Sequence, residues 1–312
     1  MRCVSTEQLR GEFVRSVGSQ GAGVGQFNQP VGLALSADET RLLVADTNNH
    51  RVVVADATDG RWVRTLQGPA GTLVEPAGVA MVARTGQVLV VDFERHLVVV
   101  FAGVDDDTVV RTLGDGGGDG PRQLFGPGGV AVLDEGDAAD RPVAVVANTS
   151  NDRLSLFRVD DDTLLRHIGS AGAAPGQFNW PTAVSVALSR LTGSDEAWLV
   201  VGDSKNHRVQ VLTLLGGVVR VLAAGDGVGP LGDMSVGLTV CVATGEVLVS
   251  DTANHRVVSW RLGDGGGCRV VCGTGVAGSG DGQLNRPRGL VTTSSGGLWV
   301  VDGNNHRLCV FG

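Results

Sequence analysis

The chain has no tyrosine, one lysine (Lys205) and one isoleucine (Ile168). All three use AT-rich codons, while Arg, Gly, Ala and Val abound, so a GC-rich gene is the simplest cause. Arginine in place of lysine therefore says little about function. No run of 18 apolar residues exists, which excludes a membrane-spanning helix. The opening residues, MRCVSTEQLRGEF, lack the apolar core of a secretory signal. Cysteine is sparse and odd in number (Cys3, Cys241, Cys268, Cys272, Cys309), with no CxxC pair. Reduced thiols and a cytoplasmic location are the expectation. Cys268 and Cys272 share one side of a strand but lack partners spaced for zinc, so no metal and no cofactor is expected. The net charge of −8 is a poor start for gripping a nucleic-acid backbone.

Helical periodicity is also missing. What recurs instead is a set of words. Asp46 has counterparts at Asp92, Asn148, Asp203, Asp251 and Asp302, at spacings of 46 to 56 residues. Around them stand DTNNHRVVV at 46–54, DSKNHRVQV at 203–211, DTANHRVVS at 251–259 and DGNNHRLCV at 302–310. A second word lies upstream: GQFNQPVGLAL at 25–35, GQFNWPTAVSV at 176–186 and GQLNRPRGLVT at 282–292. Weaker copies are LVEPAGVAM at 73–81, LFGPGGVAV at 124–132 and DMSVGLTV at 233–240. A third, such as WVRTLQG or LLRHIG, ends each unit.

Each unit thus holds four short Val- and Leu-rich runs separated by Gly, Asp, Asn and Pro. Runs of this length suit strands and are too short for helices. Four antiparallel strands repeated six times describe an all-β, six-bladed β-propeller. The expectation is one monomeric domain over 1–312. FVRSVG at 13–18 is an outer strand with no blade before it, and the last repeat stops after its third strand. Joining the two closes the ring. The outer strands carry Arg15, Arg64, Arg111, Arg166, Arg220 and Arg269. Such charge discourages edge-to-edge sheet pairing.

The words GxFNxPxG and DxxNHRV resemble the NHL repeat. The resemblance implies a six-bladed propeller and leaves the activity open, because such propellers serve as protein-binding or RNA-binding platforms and related folds are enzymes. Blade two departs with DFERHLVVV at 92–100 and blade three with NTSNDRLSL at 148–156.

The recurrent cluster reads as scaffold. Its members are Asp46, Asn49, His50 and Arg51; Asp92 and His96; Asn148 and Arg153; Asp203, His207 and Arg208; Asp251, His255 and Arg256; Asp302, His306 and Arg307. Asp can accept turn N–H groups and pair with Arg five residues on, and Asn tolerates a left-handed turn. The histidines lie on different blades, about 60° apart around a six-bladed ring. A zinc lyase or a lactonase-type enzyme is thus the weaker alternative. No GxSxG is present, and the inner strands carry one charge, Arg288. Asp115 and Asp119 lack the alternate ligands of a calcium loop.

Acids gather in DDD at 105–107, DDD at 160–162 and LDEGDAAD at 133–140, on the face away from the DxxNHR turns. The turn face, or top, is the candidate binding surface for a protein or peptide. Trp180 stands where other repeats have Gln29, Glu75, Gly126, Met234 and Arg286. With Arg286 and Arg288, Arg122, Lys205, Phe93 and Arg95, it makes the candidate set. Single-stranded RNA is the second ligand considered; the acidic balance argues against it.

Overall fold

The computed structural model describes residues 11–134, 141–187, 197–223, 228–232, 237–262 and 267–312. Cys3, Met234 and most of the acidic run at 133–140 lie outside them.

Six four-stranded antiparallel sheets follow one another around a ring. Blade one shows the pattern: inner strand Pro30–Leu35, then Arg41–Asp46, Arg51–Asp56 and outer strand Trp62–Leu66. The two middle strands are buried on both faces, since each blade is packed between two neighbours. That is why they read as near-continuous Val and Leu rather than as alternation. The outer strands are more exposed, with half-buried and exposed positions along their length. Six hydrophobic clusters fill the gaps between successive blades. Side chains such as Leu42 and Leu43 are wholly buried, each worth roughly 1.5–3 kcal/mol against exposure.

The ring closes as the sequence predicts. Strand Phe13–Val17 pairs with Arg307–Phe311, setting Phe13 opposite Phe311 and Val17 opposite Leu308. It is the outer strand of blade six, in the order 13–17, 307–311, 298–302, 287–292. The Phe13 and Phe311 rings meet edge-on at 5.9 Å. Trp299 and Leu308 of blade six pack with Phe27 and Leu42 of blade one across the seam.

The outer-strand arginines do more than charge an edge. Arg15 lies 5.4 Å over the Trp299 ring and donates to the Thr58 carbonyl of blade one. Arg64 donates to the Asp105 carbonyl of blade two. At least these two tie one blade to the next.

Inner strands crowd at the centre. A Cβ on Gly32 would stand 2.1 Å from the Ala77 carbonyl oxygen, and one on Gly289 2.5 Å from that of Val31. Gly32, Gly78, Gly129, Gly289 and aliphatic neighbours line an axial cavity of about 50 Å³. Ligand pockets start near 300 Å³, so among the described residues this axial cavity is smaller than a typical ligand pocket.

Candidate functional site

Each second strand ends in a buried acid or its substitute. Asp46 Oδ2 accepts Arg51 Nε at 2.8 Å, and the same pair recurs as Asp203–Arg208 at 2.7 Å, Asp251–Arg256 at 2.8 Å and Asp302–Arg307 at 2.8 Å. The other oxygen accepts a backbone N–H of the preceding inter-blade loop, as from Asn28 at 2.6 Å and Asn285 at 2.6 Å. Asn49 donates both to Asp46 and to the Gly21 carbonyl, each at 2.8 Å. Arg51 reaches further along that loop, to the carbonyls of Ala22 at 2.7 Å and Gln26 at 3.0 Å. The motif therefore staples the inter-blade loop to its own blade.

One expectation about the turn is corrected. The left-handed residue is the histidine, as at His50 (φ 54°) and His306 (φ 52°), not the asparagine. Asn49 sits inside a single 3-10 turn, Thr47–Asn49, with its amide engaged on two oxygens. The reversal falls to the residue after it. That placement sends the imidazole across to the next blade.

There it meets the loop that opens the neighbouring inner strand. His306 Nδ1 accepts the N–H of Gln29 at 3.0 Å, His96 that of Gly126 at 3.1 Å and His255 that of Arg286 at 3.1 Å. Asp152 replaces histidine in blade three and its Oδ1 accepts the N–H of Trp180 at 2.8 Å. The accepting bonds need a neutral ring with Nδ1 unprotonated. His50 differs: its Nδ1 faces the Val74 carbonyl, so that nitrogen donates. The N–H of Glu75 goes to Asp92 Oδ1 at 3.2 Å instead.

The two irregular blades compensate locally. Blade two has Leu97 for arginine, and Asp92 accepts three backbone N–H groups, from Val74, Glu75 and Arg95. Arg95, at the asparagine position, donates to the Gly71 carbonyl, the loop contact made elsewhere by Asn. Beside Leu97 a hollow of about 290 Å³ opens, lined by Thr72, Val99, Val109 and others. In blade three Asn148 Oδ1 accepts the Phe125 N–H at 2.9 Å while its amide donates to the Gln123 carbonyl and Ser155 Oγ. Arg153 loses its carboxylate partner and donates to the carbonyls of Asp119 and Gly120. Burial holds its pKa below the ordinary arginine value. His167 Nδ1 lies 3.1 Å from Ser155 Oγ; burial, and then Arg153, push its pKa down.

The candidate binding residues separate in space. Trp180 is 44% exposed and holds a left-handed backbone, φ 56°. Phe93 is half-buried and its ring lies over Gly126, where a Cβ would stand 3.1 Å away. Arg122 is clamped between Asp115 (3.1 Å) and Asp162, both of which raise its pKa. Lys205 is exposed on its turn, its backbone N–H donating to the Asn179 carbonyl at 3.0 Å. Arg286 is exposed at φ 52°, and Arg288 is half-buried on the inner strand below it. Two apolar neighbours escape the sequence reading: Phe125 (47% exposed) and Val74 (39% exposed). Both replace the asparagine of the FNxP word, Asn28, Asn179 or Asn285. That substitution is the signal that identifies them. The Phe125 ring also meets the His96 ring edge-on at 5.1 Å. Among the described residues, no three His, Cys, Asp or Glu side chains gather as a metal site.

An NHL-repeat model matches residues 27–55, 73–101 and 284–311, that is, blades one, two and six. The chain is thus a six-bladed β-propeller in which blades one, two and six match the NHL repeat. The protein named Protein SUPPRESSOR OF QUENCHING 1, chloroplastic, of Arabidopsis thaliana is 27% identical over 314 residues, covering 89% of this chain. The chain spans only 24% of that relative's length. A solved chain of Kuenenia stuttgartiensis Hydrazine Synthase superposes with a TM-score of 0.60 at 13% identity, over 93% of this chain and 78% of that one. At that identity the likeness is one of fold. Among the described residues, no helix is long and apolar enough to cross a membrane.

Proposed function

We propose that this propeller is an interaction platform without catalysis of its own, and that its top face receives a protein or peptide. The observation that carries this reading is Trp180. A bulky residue at positive φ is strained, and the equivalent position in blade three is glycine. Here the backbone is fixed by Asp152 with the indole outside. Exposed tryptophan is the side chain most enriched at the energetic centres of protein interfaces. Phe125, Val74 and half-buried Phe93 extend the apolar surface over blades two to four. The test is capture from a lysate with immobilised wild-type chain and with the Trp180→Ala/Arg286→Ala double variant. Partners retained by wild type are expected to be lost from the variant. Equal recovery by a variant that melts like wild type would overturn the assignment of the face.

A further inference from the structure

Position 288 follows the proline that opens the inner strand. Blades one to four place Val31, Ala77, Gly128 and Thr182 there; blade six places arginine. A second departure accompanies it. The first turn residue is Thr47, Phe93, Thr149, Ser204 or Thr252 in blades one to five, and Gly303 in blade six. The two changes fit each other: a Cβ on residue 303 would stand 2.9 Å from Arg288 Nε and 3.0 Å from its Cδ. The glycine makes the space in which the arginine stem lies. It also gives up a bond that Thr47, Thr149 and Thr252 make, a hydroxyl donated to the next blade's proline carbonyl at 2.7–2.8 Å.

What this arrangement holds in place is an under-used cation. Among the described residues the Arg288 side chain makes one hydrogen bond, from Nη2 to Gln29 Oε1 at 3.2 Å. Its Nε is shut off from solvent without a partner. Among the described residues, no carboxylate stands within ion-pairing distance of it. Burial lowers its pKa most, the like charge of Arg286 adds to that, and Glu75 in blade two opposes it. A partly buried guanidinium without a counter-ion is costly to the fold. Among the described residues, the glycine-lined axis directly beneath opens only into the cavity of about 50 Å³.

We propose that Arg288, supported by Gln29 and Arg286, binds a carboxylate at the top mouth of the propeller axis. The planar guanidinium fork suits a carboxylate's two oxygens. Glu75 and Glu94, whose mutual repulsion helps raise the Glu75 pKa after burial, bring negative charge to the neighbouring blade. That favours a monoanion over a doubly charged phosphate. The carboxylate can belong to a small acid or to a peptide side chain. The site goes beyond the Trp180 reading; because Arg286 belongs to both, the variants Arg288→Gln and Gly303→Thr, which leave Trp180 and Arg286 in place, test it separately.

The experiment is calorimetric titration of the full chain at fixed ionic strength, with acetate, the capped peptide acetyl-Gly-Glu-Gly-amide, inorganic phosphate and chloride. One saturable carboxylate site is expected. Arg288→Gln should weaken it about tenfold or more, the loss of one charged hydrogen bond. Gly303→Thr, which restores the residue of blades one, three and five, should weaken it by displacing the stem. Glu75→Gln should strengthen it. A peptide that binds tighter than acetate identifies a peptide source; equal binding identifies a small acid. Failure of both carboxylates to saturate, unchanged affinity in Arg288→Gln, or phosphate binding more tightly than either would overturn the proposal. Should Arg288→Gln fail to fold, Gly303→Thr decides alone.

Discussion

The backbone N–H of Gln29 donates to His306 Nδ1 at 3.0 Å, across 277 residues of sequence. The same link joins Gly126 to His96 and Arg286 to His255, and Asp152 supplies it to Trp180. Replacing His306 with alanine removes the acceptor at the seam. We expect a loss of about 1 kcal/mol, the net worth of one such bond. His306→Asp should recover most of it, because blade three uses that residue already. Urea unfolding of the three chains measures this; an aspartate variant no better than alanine would refute the acceptor role.

Asp251 is wholly buried and holds Arg256 Nε at 2.8 Å, the Gly232 N–H at 2.8 Å and the Asn254 amide. Asp251→Ala strands all three. Breaking such a pair from one side costs about 3–5 kcal/mol. Asp251→Asn should cost less, since Asn148 still accepts the Phe125 N–H with the same geometry. Equal losses in the two variants, read from denaturant midpoints, would contradict this account.

Trp180→Gly separates binding from stability. Glycine adopts φ 56° without strain, and relief of the left-handed conformation is worth up to about 1–2 kcal/mol before the entropy that glycine adds to the unfolded chain. The variant should therefore melt at or above wild type while losing the captured partner. A lower melting temperature would mean that the indole packs into the fold.

His167 gives a pH signature. Its pKa is depressed in the folded chain by burial and by Arg153. The unfolded chain therefore takes up this proton at a higher pH than the native one. Above the ordinary histidine range the group contributes no penalty; as pH falls through that range toward the depressed folded value, stability is lost. His167→Gln should flatten the decline between about pH 7 and 5 relative to wild type. Parallel pH profiles of the two would sink the claim.

Removal of residues 1–18 takes away the strand Phe13–Val17, the Phe13–Phe311 contact and the Arg15 tie to blade one. It also bares the edge of Arg307–Phe311, a liability for association. Thermal unfolding should fall by about 10 °C or more, as expected for a loss of several kcal/mol. Unchanged melting would show that the ring does not depend on that strand.

Blade boundaries, the closing strand and the Asp–Arg pair were legible in the sequence because recurrence at fixed spacing exposes them. Repetition was equally why the histidine stayed obscure. Its bond runs to the next blade, and a motif read within one repeat cannot display a contact between two. Phe125 and Val74 were hidden because apolar residues in short loops read as core, and only the fold leaves these two exposed. Arg122 looked like available charge until folding set it between Asp115 and Asp162, seven and forty positions away. The pairing of Arg288 with Gly303 appears only in the fold, which brings together two departures fifteen positions apart.

Blade six is assembled from both ends of the chain, with Glu12 and Gly312 exchanging two backbone hydrogen bonds at its rim. During synthesis the strand Phe13–Val17 must stay unpaired until Arg307–Phe311, about three hundred residues later, has left the ribosome. The other blades can form locally as they emerge, but the circle cannot be completed before that last strand is free. Closure is thus the longest-range step in folding, of the kind that is slow and exposed to aggregation. Until then, the waiting segment is the part of the molecule most open to a chaperone or to a second copy of itself.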